Sequence, residues 1–197
     1  MRLFVAAYPP PEVRENLAGV VGNLSVGRPR EPGQSVRLAP PEHWHVTLAF
    51  LGDVPDPEVD LARSAVDRAV ERWQDAGRSD ARTAPVVTIA GGGTFGRSRF
   101  TTLWAGLRGD VDSLARLTEA VRRELRAARL PYDHKRFRPH LTIARPGDRI
   151  TAEELAADLA VLQAYQSPPW TVADIRLVRS QLGPRPQYDR MHSVPLS

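Results

Sequence analysis

The sequence predicts an α+β fold, and three observations predict it. Segments with helical periodicity alternate with segments of strand character along the 197 residues, 42% of those residues are apolar, and one nine-residue segment recurs half a chain later. With 25% charged residues the composition is that of a folding chain rather than a disordered one. The length suits a single domain, or two half-size lobes around a shared core.

Taken in order, Arg2 to Tyr8 reads as a buried strand, and Pro10, Pro11 and Glu12 open an amphipathic helix running toward Leu24. Gly27 to Gly33 breaks that pattern. Val36 to Leu38 reads as a short strand before the Pro40-Pro41 turn, and Trp44 to Leu51 as a strand that Gly52-Asp53 terminates. Leu61, Ala65, Val66, Ala69, Val70 and Trp73 recur at helical spacing, which predicts a helix over Pro57 to Ala76, closed by a turn from Gly77 to Ala84. Val86 to Ala90 and Thr102 to Leu107 read as strands around a flexible glycine-rich loop. Leu114, Leu117, Val121 and Leu125 mark the third helix. After Pro139, His140 to Arg145 is a strand and Ala152 to Tyr165 a helix, with Thr171 to Arg179 and Met191 to Val194 as closing strands.

The recurring segment is His45-Val-Thr-Leu-Ala-Phe-Leu-Gly52-Asp53, which aligns without a gap to His140-Leu-Thr-Ile-Ala-Arg-Pro-Gly147-Asp148. Five of its nine positions are identical and the copies are 95 residues apart. This suggests a duplicated lobe, each copy giving one strand to a shared cleft. In a strand, residues i and i+2 share a face, so His45 and Thr47 present an imidazole and a hydroxyl together while Val46 and Leu48 face the core. His140 and Thr142 do the same. Two imidazoles meeting in one pocket suit the breaking of a phosphodiester by water. One takes the water's proton and the other protonates the departing oxygen, both protonation states being accessible near neutrality. The threonine hydroxyls, with an arginine, can hydrogen-bond the nonbridging oxygens as charge builds there.

These residues resemble the two-histidine phosphoesterases, and among them the bacterial and archaeal RNA 2′,3′-cyclic phosphodiesterases historically called 2′-5′ RNA ligases. The resemblance covers nearly the whole chain. It rests on Arg2-Leu3-Phe4-Val5-Ala6, on Pro41-Glu42 with His45-Val46-Thr47-Leu48 and Phe50-Leu51-Gly52, and on Phe137-Arg138-Pro139-His140-Leu141-Thr142-Ile143-Ala144-Arg145. Arg179-Ser180, Leu182, Gly183-Pro184 and Tyr188 look like the family's C-terminal segment. The resemblance implies a bilobal domain over residues 1–197, with two antiparallel sheets flanking a central active-site cleft and helices outside. It implies that His45 and His140 are catalytic, that Thr47, Thr142 and Arg145 bind phosphate, and that no metal or other cofactor takes part. The implied reaction opens a terminal 2′,3′-cyclic phosphate to a 2′-phosphate, with reverse 2′-5′ ligation. It also implies His45 as acid toward the leaving 3′-oxygen and His140 as base for water, roles that the residues alone leave open.

Composition narrows the field further. Zero cysteines exclude disulfides, thiolate nucleophiles and cysteine-ligated metal centres. All but one of the 27 basic residues are Arg, Lys135 being the exception, and Arg is the better bidentate phosphate ligand. No apolar run approaches the ~18 residues of a membrane span, and the first residues lack a signal peptide's apolar region. The expectation is a cytoplasmic monomer that binds RNA ends or nucleotides bearing a 2′,3′-cyclic phosphate, with no membrane partner.

Other signals are weaker. Gly91-Gly92-Gly93-Thr94-Phe95-Gly96 fits the dinucleotide-binding glycine pattern, but a strand follows where that pattern needs a helix. His43 with His45, and Asp53 or His134, form an incomplete metal set. Arg97 and Arg99, and the helical stripe Arg122, Arg126 and Arg129, suit RNA backbone contact or plain solvation. Trp44, Phe50, Phe137 and Tyr188 are the candidates for stacking on a base, with core packing favoured for Phe50 by strand parity. The alternatives are turnover of a small substrate such as ADP-ribose cyclic phosphate, a metal-dependent phosphodiesterase, and a binding module without turnover.

Overall fold

Apolar side chains on both faces of the first strand require cover on both sides, and the chain supplies it by placing that strand inside a sheet. In the computed structural model, which describes residues 1–29, 36–76, 84–147, 149–181, 183 and 186–196, β1 (Arg2–Ala7) lies between β3 (Val46–Asp53) and β8 (Asp174–Gln181). With β9 (Gln187–Pro195) at the edge, this first sheet has the order β3-β1-β8-β9. A second sheet has the order β2-β6-β5-β4-β7, from β2 (Arg37–Leu38), β6 (His140–Arg145), β5 (Thr102–Gly109), β4 (Val86–Phe95) and β7 (Trp170–Thr171). Every pairing between these strands is antiparallel.

Helices cover the outer faces. Helix α1 (Pro11–Val21) starts on a proline at its first turn, where a missing N–H costs nothing. α2 (Val59–Asp75) and α3 (Val111–Ala127) pack on each other and against the first sheet. The α3 stripe Leu114, Leu117, Val121 and Leu125 is fully buried, and each such side chain contributes about 1.5–3 kcal/mol. Between these helices the buried Glu124 carboxylate accepts from Arg68 Nε at 3.2 Å and faces Arg72 Nε at 2.7 Å. α4 (Ala152–Ala164) packs on β4 and is capped reciprocally, Glu154 N–H donating to Thr151 Oγ1 and Thr151 N–H to the Glu154 carboxylate. Its buried Asp158 accepts the backbone N–H groups of Ser25 and Val26 at 2.6 and 3.0 Å, tying α4 to the short 3-10 turn Ser25–Gly27.

The glycine-rich stretch corrects the sequence reading: Gly91-Gly92-Gly93 lies within β4 instead of forming a loop. Gly91 holds a positive φ of 73°, and Gly92 and Gly93 are there for lack of space. A Cβ on Gly92 would stand 2.7 Å from the Leu162 Cβ of α4, and one on Gly93 would stand 2.3 Å from the Trp104 ring. The expected strand from Thr171 to Arg179 divides, β7 joining the second sheet and β8 the first. The helix expected from Pro57 begins as a 3-10 turn, Asp56–Glu58. Gly52 and Asp53 continue β3 rather than ending it. The expected breaks at Gly27 to Gly33 and Gly77 to Ala84 fall largely outside the described residues, as do Asp148, Leu182 and Pro184.

Candidate active site

Each motif histidine stands where a proline-containing segment enters a strand, His45 just before β3 and His140 at the first residue of β6, and the backbone two residues back fixes each ring. His45 follows the 3-10 turn Pro41–His43, and its Nδ1 lies 2.6 Å from the His43 carbonyl. His140 follows Arg138-Pro139, and its Nδ1 lies 2.6 Å from the Arg138 carbonyl. A carbonyl only accepts, so each Nδ1 carries the hydrogen and donates it. Each neutral ring therefore keeps its lone pair on Nε2, the nitrogen left for chemistry.

The strands then deviate from simple alternation at matching points. In β3, Thr47 pairs with Ala6 and Ala49 with Val5, leaving Leu48 as an extra residue; in β6, Thr142 pairs with Trp104 and Ala144 with Leu103, leaving Ile143 extra. Each is a β-bulge that puts two successive residues on the core side. Leu48, Ala49, Ile143 and Ala144 are all buried. The position five after each histidine is thereby returned to the face of its threonine. Without the bulges, Phe50 and Arg145 would point into the core. Gly52 and Gly147, two positions further on, both have positive φ, 73° and 64°.

This corrects the parity argument that sent Phe50 to the core. Phe50 is half-buried among Phe4, Ala6, Tyr8, Val178 and Tyr188, on the face of the first sheet opposite the main core, with the Arg2 guanidinium 4.7 Å from its ring centre.

A cavity of about 180 Å³ is lined by His45, Thr47, His140, Thr142 and Arg145 together, so all five residues singled out in the sequence meet there. Arg37, His43 and Tyr188 line it as well. Arg37 was missed. It lies in the two-residue β2, directly opposite Arg145 in the ladder, and only that pairing brings it to the site. No carboxylate lines the cavity among the described residues, so its charge favours an anion.

Aromatic walls hold both rings. Phe4 stacks on His45 with ring centres 4.7 Å apart, and Tyr188 meets it edge-on at 5.5 Å. Phe95 and Trp104 approach His140 edge-on at 4.9 and 6.0 Å. Burial in this setting disfavours the charged imidazolium and lowers His45 from 6.5 to about 4, its neighbours His43, His140 and Arg145 adding to the effect. Burial lowers His140 too. Both rings therefore favour the neutral form at pH 7.

The other sequence signals fall elsewhere. Among the described residues no group of three His, Asp or Glu is arranged to hold a metal ion, and His134 lies against Tyr132 at 4.4 Å. Trp44 is a core residue, and Phe137 lines a neighbouring cavity with Phe50. Arg122 and Arg126 hydrogen-bond the Lys135 carbonyl and the Tyr132 hydroxyl. No helix among the described residues is long and apolar enough to cross a membrane.

Comparison with known proteins bears on this geometry. The sequence model of the 2′-5′ RNA ligase superfamily matches residues 4–184. An RNA 2′,3′-cyclic phosphodiesterase of Archaeoglobus fulgidus is 30% identical over 192 residues, covering 94% of each chain. That of Thermus thermophilus is 29% identical over 194 residues, covering 94% of this chain and 84% of the other. Among solved structures, one from Thermus thermophilus superposes with a TM-score of 0.67 at 27% identity, over 100% of this chain and 98% of that one. E. coli LigT complexed with 3′-AMP gives 0.70 at 21% identity, over 100% and 98%, a likeness of fold.

Proposed function

The chain belongs to the 2′-5′ RNA ligase superfamily, and from that premise we propose that it hydrolyses terminal 2′,3′-cyclic phosphates of RNA to 2′-phosphomonoesters, without a metal ion, by acid–base catalysis between His45 and His140. The observation that carries this reading is the matched pair of imidazoles, each fixed through Nδ1 to the carbonyl two residues back and each with a threonine on the same face of one cavity.

In this reading His140 Nε2 takes a proton from water as the water oxygen bonds to phosphorus. The bond from phosphorus to the 3′-oxygen breaks, and His45 Nε2–H protonates that oxygen. Thr47, Thr142 and Arg145 hold the nonbridging oxygens, where preorganised donors act most strongly as negative charge accumulates. Because burial keeps His45 neutral at pH 7, its Nε2 takes a proton from solvent as the substrate binds: the phosphodiester anion raises an imidazole that burial had lowered. With the 5′-hydroxyl of a second strand as nucleophile in place of water, the same two groups carry out 2′-5′ ligation.

The same reading takes residues 1–197 as one domain of two pseudo-twofold lobes facing each other across the cleft, supported by the matching bulges and positive-φ glycines of the two segments. It also takes the protein as a hydrolase active on RNA in the cytoplasm. LigT has been crystallised with 3′-AMP, ATP and NADP⁺, which supports a nucleotide as the ligand here.

The test is hydrolysis of a 2′,3′-cyclic-phosphate oligonucleotide in EDTA, with the product isomer identified, for the wild type, His45→Ala and His140→Ala. The expected product is the 2′-phosphate, with each variant slower by at least about two orders of magnitude. Full turnover by either variant, or loss of wild-type turnover in EDTA, overturns the mechanism.

A further inference from the structure

The cavity that holds the reacting groups, about 180 Å³, is smaller than the ~300–1,000 Å³ of typical small-ligand pockets, so the rest of the substrate must extend beyond it. Two larger cavities adjoin it. One, of about 490 Å³, shares His43 and Tyr188 with the central cavity; the other, of about 600 Å³, shares Thr47 and His140.

These flanks differ in charge and lining. The first has three arginines, Arg14, Arg176 and Arg190, set against Glu42 and Asp174, and Arg176 is held by Asp174 at 2.9 Å. The second has Arg122, Lys135, Arg136 and Arg138 against Asp133 alone, and that carboxylate is taken by Lys135 at 3.2 Å. Arg136 and Arg138 are exposed and have no ion-pair partner among the described residues. Phe50, Phe95 and Phe137 supply aromatic surface beside these cations.

Phe137 also lines a further cavity of about 560 Å³ between α2 and α3, with Arg72, Arg116, Arg123 and Arg126 against one carboxylate, Glu119, which faces Arg122 at 3.6 Å. Arg72 and Arg123 share the Glu124 carboxylate with Arg68, and Arg116 is exposed and unpaired among the described residues. A path therefore leads from His140, past Phe50 and Phe95, over Phe137 and onto the helices. It combines aromatic platforms with unpaired guanidiniums, the pairing that binds single-stranded RNA.

We propose that the body of the RNA leaves the reactive centre along this path, upstream nucleotides lying between Phe50 and Phe137 and the backbone continuing across Arg136 to Arg116. The proposal rests on the cyclic-phosphodiesterase reading and makes it specific: RNA ends are preferred over small cyclic nucleotides, and the preference comes from groups remote from the chemistry.

The experiment compares the wild type, Arg116→Ala/Arg136→Ala and Arg190→Ala. Binding of a labelled single-stranded RNA oligonucleotide ending in a 3′-phosphate is followed by anisotropy across a salt series, and turnover of a 2′,3′-cyclic mononucleotide is measured alongside. The double variant should bind the oligonucleotide about tenfold more weakly, with its logarithmic salt slope reduced by about 1.4 for two lost single-strand phosphate contacts, while turnover of the mononucleotide stays within about twofold. Arg190→Ala should match the wild type. Unchanged oligonucleotide affinity and slope in the double variant, or a loss in Arg190→Ala instead, overturns the path. An equal loss for mononucleotide and oligonucleotide also overturns it. Absence of wild-type turnover of an oligonucleotide ending in a 2′,3′-cyclic phosphate refutes the catalytic reading while leaving the binding comparison intact.

Discussion

Adding one carbon atom at Gly93 should disable the site without unfolding the protein. A Cβ there would stand 2.3, 2.7 and 2.8 Å from three atoms of the Trp104 indole, whereas ordinary contact begins near 3.4 Å, so the ring must retreat by about 1 Å. The indole stacks on Phe95 at 5.2 Å, and both rings abut His140. The displacement thus passes to an imidazole held by one hydrogen bond, to the Arg138 carbonyl. Overpacking of this kind costs about 1–3 kcal/mol of stability, and a misplacement of ~1 Å in a catalytic group costs on the order of 10²-fold in rate. Gly92→Ala is the internal control. Its Cβ would press on Leu162 of α4 at 2.7 Å and stand 3.1 Å from the Trp104 carbonyl oxygen, leaving the indole itself untouched. Both variants should lose similar stability in urea titrations, but Gly93→Ala alone should lose one to two orders of magnitude in kcat on a 2′,3′-cyclic nucleotide, and Gly93→Ala/Trp104→Leu should regain part of it. Equal activity in the two single variants, each shown to be folded, would refute the reasoning.

Acidification should destabilise the protein through His45: the unfolded chain gains its proton near pH 6.5 and the folded site refuses it until about pH 4, so stability present above 6.5 falls by about 3 kcal/mol as pH drops through that window. Urea midpoints at neutral and acidic pH measure the loss, which should be much smaller in His45→Gln; an identical pH dependence in the two proteins would remove His45 as the cause. Asp158→Ala should lower stability by about 1–3 kcal/mol, because it strands the buried N–H groups of Ser25 and Val26, with kcat unchanged. A thermal melt beside the activity assay checks this, and a shift in kcat without a shift in Tm would contradict a purely structural role.

The sequence made the helices and most strands legible because their apolar residues recur with the period of the element that buries them, as in the α3 stripe from Leu114 to Leu125. It made the two histidines and threonines legible because i and i+2 share a face whatever the strand pairs with. What lay beyond it depends on pairing. The bulges at Leu48 and Ile143 exist only relative to β1 and β5, so parity alone misdirects Phe50. Arg145 was identified by resemblance, and its orientation has the same origin as that of Phe50. Arg37 enters the site by lying opposite Arg145, a contact across more than a hundred residues that no local pattern announces. The glycine run read as a loop by its composition, whereas Gly92 and Gly93 answer to the bulk of Leu162 on one face of β4 and of Trp104 on the other.

The central position of β1 has a consequence for how the molecule comes into being. One of its neighbours, β3, is made soon after it, but the other, β8, follows only near the end of the chain, with Leu3 opposite Arg179. A nascent chain emerging in order therefore carries an apolar strand with an open edge through most of its synthesis, and pairings of such long sequence separation close slowly. Phe4, on that strand, and Tyr188, on the last, together enclose the His45 ring. The first histidine's surroundings are thus completed by the last strand to arrive, and a chain arrested before β8 would hold His45 without the enclosure that sets its proton affinity.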